Sequence, residues 1–112
     1  MKGTYLGEFE EMVLLIVGVL YDQAYGLSIA KEIARQTERA VHVSAVHSAL
    51  HRLEKKGFLS SRLAEATQER GGKRKRLFTL TAAGSKALRA ALDLRNELYG
   101  QIPRVALEGG AS

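Results

Sequence analysis

Ser44-Ala45-Val46-His47-Ser48-Ala49-Leu50-His51-Arg52-Leu53-Glu54-Lys55-Lys56-Gly57 separates into two faces when wound as a helix. At about 100° per residue, Val46, Ala49, Leu50 and Leu53 share one side, the spacing of a buried stripe. Ser44, Ser48, His51 and Lys55 fall opposite, with Arg52 beside them. Ser44 reads as the N-cap of a helix from Ala45 to Lys56, which Gly57 ends. Hydroxyls, an imidazole and cations on one exposed face are groups that hydrogen-bond base edges and grip phosphates. An ordinary solvated face has the same composition, so this helix alone leaves both readings open.

Downstream the hydrophobic period shortens. Phe58–Glu65 and Lys75–Thr81 read as strands, and the polar stretch Ala66–Arg74 between them carries Gly71-Gly72, the turn of a β-hairpin. Arg70-Gly71-Gly72-Lys73-Arg74-Lys75-Arg76 gathers five cations around that tip. Such a finger suits a phosphate backbone or a minor groove. A charge run more often only keeps a loop solvated, but this one directly follows a helix that could read bases. The order of the two features favours DNA over either bland reading.

Upstream, Thr4 can cap a first helix reaching about Tyr21, with Glu8, Glu10 and Glu11 in its early turns to complement the helix dipole. From Met12 to Leu20 that helix is apolar all round, so both of its sides need cover. Gly18 within the run predicts close helix packing. A second helix is expected over Gly26–Thr37, striped by Leu27, Ile29, Ala30, Ile33 and Ala34. Ala40–Val43 reads as a short extended piece. Thr81 can cap a fourth helix from Ala82 to about Ile102, with Pro103 after it. Leu88, Ala91, Leu92, Leu98, Tyr99 and Ile102 lie along one broad side of that helix.

The expected fold is α+β and mainly α: a winged helix-turn-helix domain of three helices and a β-hairpin wing, followed by a C-terminal dimerisation helix. It occupies residues 1–103, with the dimerisation helix at about 82–102 and a disordered tail at 104–112. Two bare apolar faces, on the first and last helices, call for a second subunit. Val13, Ile16, Val17, Leu88, Leu92, Leu98, Tyr99 and Ile102 are the expected homodimer contacts.

Composition limits the alternatives. The chain has 112 residues, 46% of them hydrophobic, which is one domain's worth of core. A formal net charge of +5 favours a polyanionic partner. Without cysteine, disulfides and thiolate metal sites are excluded. No signal peptide is visible, and the longest apolar stretch, Met12–Tyr21, is about half of a membrane span. The expectation is a soluble, cytoplasmic protein with no membrane association. His47 and His51 are spaced i, i+4, but Ser48 stands where a zinc peptidase carries glutamate, and no metal or other cofactor is expected. No nucleophile motif or phosphate-binding loop is present, so no enzyme is expected.

The chain also resembles the PadR-like transcriptional regulators. The likeness runs from about Leu6 to Tyr99 and rests on Met12-Val13-Leu14-Leu15-Ile16, Ala24-Tyr25-Gly26-Leu27-Ser28-Ile29, the run from Ala49 to Leu59, and Arg76-Leu77-Phe78-Thr79-Leu80-Thr81-Ala82-Ala83-Gly84. Where that family usually has a Tyr-Pro pair in the recognition helix, this chain has His47-Ser48. The final helical region is short, as in the compact branch of the family. The resemblance implies a homodimer on a roughly palindromic operator, acting as a repressor, with a small-molecule effector near the interface in some relatives. With the helix face and basic hairpin read above, Tyr25, Ser44, His47, Ser48, His51, Arg52, Lys55, Lys73, Arg74 and Lys75 are the residues expected at double-stranded DNA. The rival reading is a winged-helix interaction module whose basic wing binds an acidic protein. RNA binding is less well supported, because no exposed aromatic platform is evident.

Overall fold

Three apolar helical faces and one hairpin face meet in a single core. A computed structural model of the chain describes residues 6–65 and 74–109. Its elements are α1 (Glu8–Leu20), a 3-10 turn (Tyr21–Gln23), α2 (Gly26–Thr37), α3 (Val43–Lys55), β1 (Leu59–Leu63), β2 (Arg76–Leu80), α4 (Ala82–Gly100) and α5 (Arg104–Leu107). The expected Thr4 cap, the hairpin tip with Arg70, Gly71, Gly72 and Lys73, and the last three residues lie outside the described residues.

α1 buries one arc and leaves the other bare. Val13, Leu14, Ile16 and Val17 point into the core at 0–5% exposure, whereas Leu15 and Val19 are exposed. This corrects the expectation that Val13, Ile16 and Val17 face a second subunit. Their side chains are consumed by this chain's own core against α2 and α3. Gly18 packs against a strand, not a helix: a Cβ there would come 3.1 Å from Leu80 Cδ1.

α2 keeps its expected bounds, with Ile29, Ala30 and Ile33 buried, while Leu27 and Ala34 lie on the outer arc. α3 buries Val46, Ala49, Leu50 and Leu53, each at 0–1% exposure, as its periodicity requires. It begins earlier than expected, because His42 and not Ser44 is the N-cap. The His42 carbonyl accepts from Ala45 N at 3.0 Å and Val46 N at 3.2 Å. Val43, packed on the core, is thereby drawn into the first turn.

β1 and β2 pair antiparallel in the register Leu59↔Leu80, Ser61↔Phe78 and Leu63↔Arg76. Phe58, Leu59 and Phe78 close the sheet side of the core. The Thr81 hydroxyl oxygen accepts from Gly84 N at 3.0 Å, the expected cap, and donates to the Gly57 carbonyl at 2.6 Å. Gly84 is needed here: a Cβ would fall 2.1 Å from the Phe58 carbonyl oxygen, so α4 starts pressed against the backbone entering β1.

Beyond that point α4 leaves the core. Ala87 and Leu88 still pack on it, but Leu92, Leu94, Leu98, Tyr99 and Ile102 are all exposed. Arg95 donates to Glu11 at 2.7 Å and ties the middle of α4 back to α1. α4 ends at Gly100, short of the expected Ile102. Residues 104–107, expected in a disordered tail, form one helical turn because the Pro103 carbonyl accepts from Ala106 N and Leu107 N. No single helix among the described residues is long and apolar enough to cross a membrane.

Candidate nucleic-acid interface

The outward face of α3 presents Ser44, Ser48, His51 and Lys55, all exposed. Its two flanks are anchored to neighbouring helices. On one flank the His47 ring lies over Gly26 at the start of α2, where a Cβ would come 2.6 Å from its Cε1 and Nε2 atoms. On the other, Arg52 Nε and Lys56 Nζ each donate to the Glu10 carboxylate at 2.8 Å. Sequence spacing puts Arg52 beside the reading face, but Glu10 draws its guanidinium toward α1. Arg52, half-exposed, thereby secures α3 against α1 at the edge of that face.

Glu10 is the centre of that anchor and is 7% exposed. Burial pushes its carboxyl up, but hydrogen bonds from Lys56, Arg52 and the Gly7 N–H outweigh this and hold it below the usual carboxylate range. The same carboxylate accepts from Gly7 N at 3.2 Å and so closes the first turn of α1. One buried anion therefore fixes the N-terminus of α1 and the C-terminal turn of α3 together.

The basic stretch at the base of the hairpin divides its tasks. Arg74 is exposed and its Nε donates to the Ala64 carbonyl at 2.9 Å, across the hairpin. Lys75 places its ammonium 4.4 Å from the centroid of the Tyr25 ring. Arg76 donates to Ser61 Oγ at 3.0 Å, and that hydroxyl donates to Glu54 at 2.7 Å, so the hairpin is joined to α3. Tyr25 is half-buried at the N-cap of α2. Sequence reading missed Arg62, exposed on β1 opposite Leu77. Alternation counted from buried Leu59 would have found it, because residues an odd number of steps away turn to the other face. Among the described residues, no three His, Cys, Asp or Glu side chains are grouped to hold a metal ion.

The family model for PadR-like transcriptional regulators matches residues 15–90, which contain α2, α3, the hairpin and parts of α1 and α4. The chain belongs to the PadR-like family. Solved structures carry the same fold. A PadR-family regulator from Eggerthella lenta matches at a TM-score of 0.65 and 24% identity, over 79% of this chain and 74% of that one. A Streptococcus mutans protein matches at 0.64 and 25% identity, over 96% of each chain. Bacillus subtilis PadR in complex with operator DNA matches at 0.63 and 20% identity, over 76% of this chain but only 46% of that one. Comparison with curated proteins gave no match.

Within this PadR-like fold, the His47-Ser48 pair divides between two surroundings: His47 packs on α2 and Ser48 stays on the open face. The residues expected to pair subunits through α4 also divide. Leu88 is half-buried against this chain's core, while Leu92, Leu98, Tyr99 and Ile102 remain bare. Exposed Leu15 and Val19 of α1 extend the apolar surface in place of Val13, Ile16 and Val17. A shallow groove lined by Glu11, Leu15, Ser85, Leu88, Arg89 and Leu92 runs between α1 and α4.

Proposed function

We propose that this PadR-like regulator is a sequence-specific DNA-binding repressor that acts as a homodimer on a roughly palindromic operator. The observation that carries the reading is the α3 face of Ser44, Ser48, His51 and Lys55, exposed in full on a helix whose flanks are both pinned. A reader must be rigid to discriminate bases, and both anchors supply rigidity. Ser48, His51 and Lys55 address base edges and Ser44 the backbone, while Lys73, Arg74 and Lys75 charge the wing. The operator complex of Bacillus subtilis PadR, which shares this fold, supports duplex DNA as the partner. Repression follows from the family resemblance: a dimer seated on its operator excludes polymerase.

The dimer is supported by apolar surface that the chain cannot cover itself. Leu15, Leu92, Leu98 and Tyr99 are each 45–63% exposed on α1 and α4. Exposed apolar side chains along one helix are covered most simply by a second copy of the same surface, which a two-fold axis would bury on both subunits.

The test is selection from a random duplex library with the wild type, His51→Ala and Lys55→Ala. The wild type should recover two symmetric half-sites about 10 bp apart. Each variant should alter base preference at particular positions in both half-sites, because one good base contact is worth about 1–3 kcal/mol of discrimination. Identical motifs with uniformly lower affinity would show that this face grips only the backbone. Failure to enrich any motif, together with tight binding to an acidic polypeptide, would overturn the DNA reading itself.

A further inference from the structure

The Lys75 ammonium over the Tyr25 ring joins the hairpin to α2 at the strand end that leads into the basic tip. Both partners are held from behind. The Tyr25 N–H donates to Ser28 Oγ at 2.9 Å, and that hydroxyl donates to the Gln23 carbonyl at 2.7 Å. The Lys75 carbonyl accepts from Ala64 N at 2.7 Å, continuing the hairpin ladder. Between them, Phe78 N donates to the Ala24 carbonyl at 2.8 Å, so the chain entering α2 lies against β2.

We propose that Tyr25 and Lys75 form the joint that sets the angle of the wing, with Tyr25 a positioning residue that acts through its ring, not a phosphate ligand acting through its hydroxyl. The proposal rests on the DNA-binding reading above and changes the role of Lys75, which that reading gave to the charged wing, and of Tyr25, which the sequence placed at the DNA. A two-stranded hairpin is marginal by itself and pivots unless its base is fixed. Here the base is held by the Phe78 N bond to the Ala24 carbonyl and by buried Phe58, Leu59 and Phe78, and two side-chain contacts flank it nearer the tip. Arg76, Ser61 and Glu54 tie it to α3, and Lys75 and Tyr25 tie it to α2. Arg74 is the immediate neighbour of Lys75, so the direction taken by the first cation of the tip depends on this contact.

The size of the effect follows from population. A cation over an aromatic face at a partly exposed site favours the joined arrangement by a factor of about two to five. Loss of the joint lowers the fraction of wings poised to bind, and apparent affinity falls by at most that factor, reached in full only where the joined arrangement is the minority state.

Four variants decide the matter, measured by fluorescence anisotropy on the selected duplex: Tyr25→Phe, Tyr25→Leu, Lys75→Met, and Tyr25→Leu combined with Lys75→Met. Tyr25→Phe keeps the ring and should bind as the wild type does. Tyr25→Leu should weaken binding measurably, by up to about five-fold, in the wild-type background, and should cost nothing further in the Lys75→Met background. A Tyr25→Phe variant as weak as Tyr25→Leu would assign the effect to the hydroxyl and overturn the proposal. So would losses that multiply in the double variant. Should Tyr25→Leu fail to fold, Tyr25→Phe still tests the hydroxyl, and the shift of the Lys75 protons still tests the contact with the ring. In the DNA-free protein, the Lys75 ε-methylene protons should be shifted upfield by the ring current in wild type and Tyr25→Phe. Their appearance at random-coil positions would refute the joint. Because that measurement needs no duplex, a wild type that binds no DNA would sink the functional reading while the joint stands or falls on the proton shift.

Discussion

Replacing Glu10 with glutamine removes one negative charge and almost no volume, so it isolates the anchor between α1 and α3. The carboxylate is 7% exposed and accepts from Arg52, Lys56 and Gly7. Charge-assisted hydrogen bonds contribute roughly 1.5–3 kcal/mol each and neutral ones about 0.5–1.5. Two offsets reduce the difference. Burying the carboxylate carries a desolvation cost that glutamine avoids. The cations left behind are not trapped, since their side chains are 51% exposed for Arg52 and 25% for Lys56, and water can solvate them. The amide must also turn its NH2 group toward one of them, which forfeits a bond. A net loss of about 1–2 kcal/mol is expected, which for a domain of this size lowers the melting midpoint by roughly 5–10 °C.

The assay is thermal unfolding by circular dichroism at one protein concentration, run from pH 7 downward for wild type and Glu10→Gln. The folded state holds the Glu10 carboxyl below its ordinary range. Its contribution is therefore complete above the unfolded pKa, near 4.3, and is lost as pH falls through the lower folded value. Glutamine has no such proton. The gap between the two proteins should be widest at neutral pH and should close in acid. Equal melting at pH 7, or a gap that stays constant on acidification, would refute the anchor.

Leu98→Glu or Tyr99→Glu should convert the expected dimer to monomer or to insoluble protein. Sedimentation at micromolar concentration checks this, and a monomeric wild type would count against the dimer. Lys73→Ala with Arg74→Ala should weaken binding to all duplexes alike and flatten the slope of log affinity against log salt by about 0.9 for each phosphate that is no longer neutralised; an unchanged slope would leave these residues as solvated cations only. Gly26→Ala should cost at most a few tenths of a kcal/mol (~0.5) while His47 is present, because the new methyl must push aside the exposed end of its ring. In a His47→Ala background the same change should be neutral or stabilising, and equal effects in both backgrounds, read by denaturant unfolding, would mean that the two residues do not compete for space.

The order of elements was legible in the amino-acid sequence, because each element has a local signal. The i, i+3, i+4 stripe of Val46, Ala49, Leu50 and Leu53 named the buried face of α3, and polar residues opposite marked what stayed outside. Thr81 was legible as a cap from its place before Ala82 alone. The hairpin was legible from its two strand segments, but the side on which Phe78 is buried was not read from them. The exposure of Ser44, Ser48, His51 and Lys55 on one face was legible from the same stripe in α3.

What lies at the boundaries between faces was settled only by how the elements dock. In α1, Leu15 and Ile16 are equally apolar, and nothing local says that Ile16 is buried while Leu15 is exposed. That choice depends on the rotation at which α2, α3 and the hairpin trap the helix. Arg52 belongs to α3 by periodicity and to Glu10 by contact, across 42 residues of chain. His47 over Gly26 and Lys75 over Tyr25 are likewise pairings between elements. Periodicity records where a side chain points relative to its own helix or strand. Its partner is fixed only in the docked arrangement, and the energy of docking comes from the whole core, not from the two residues that meet.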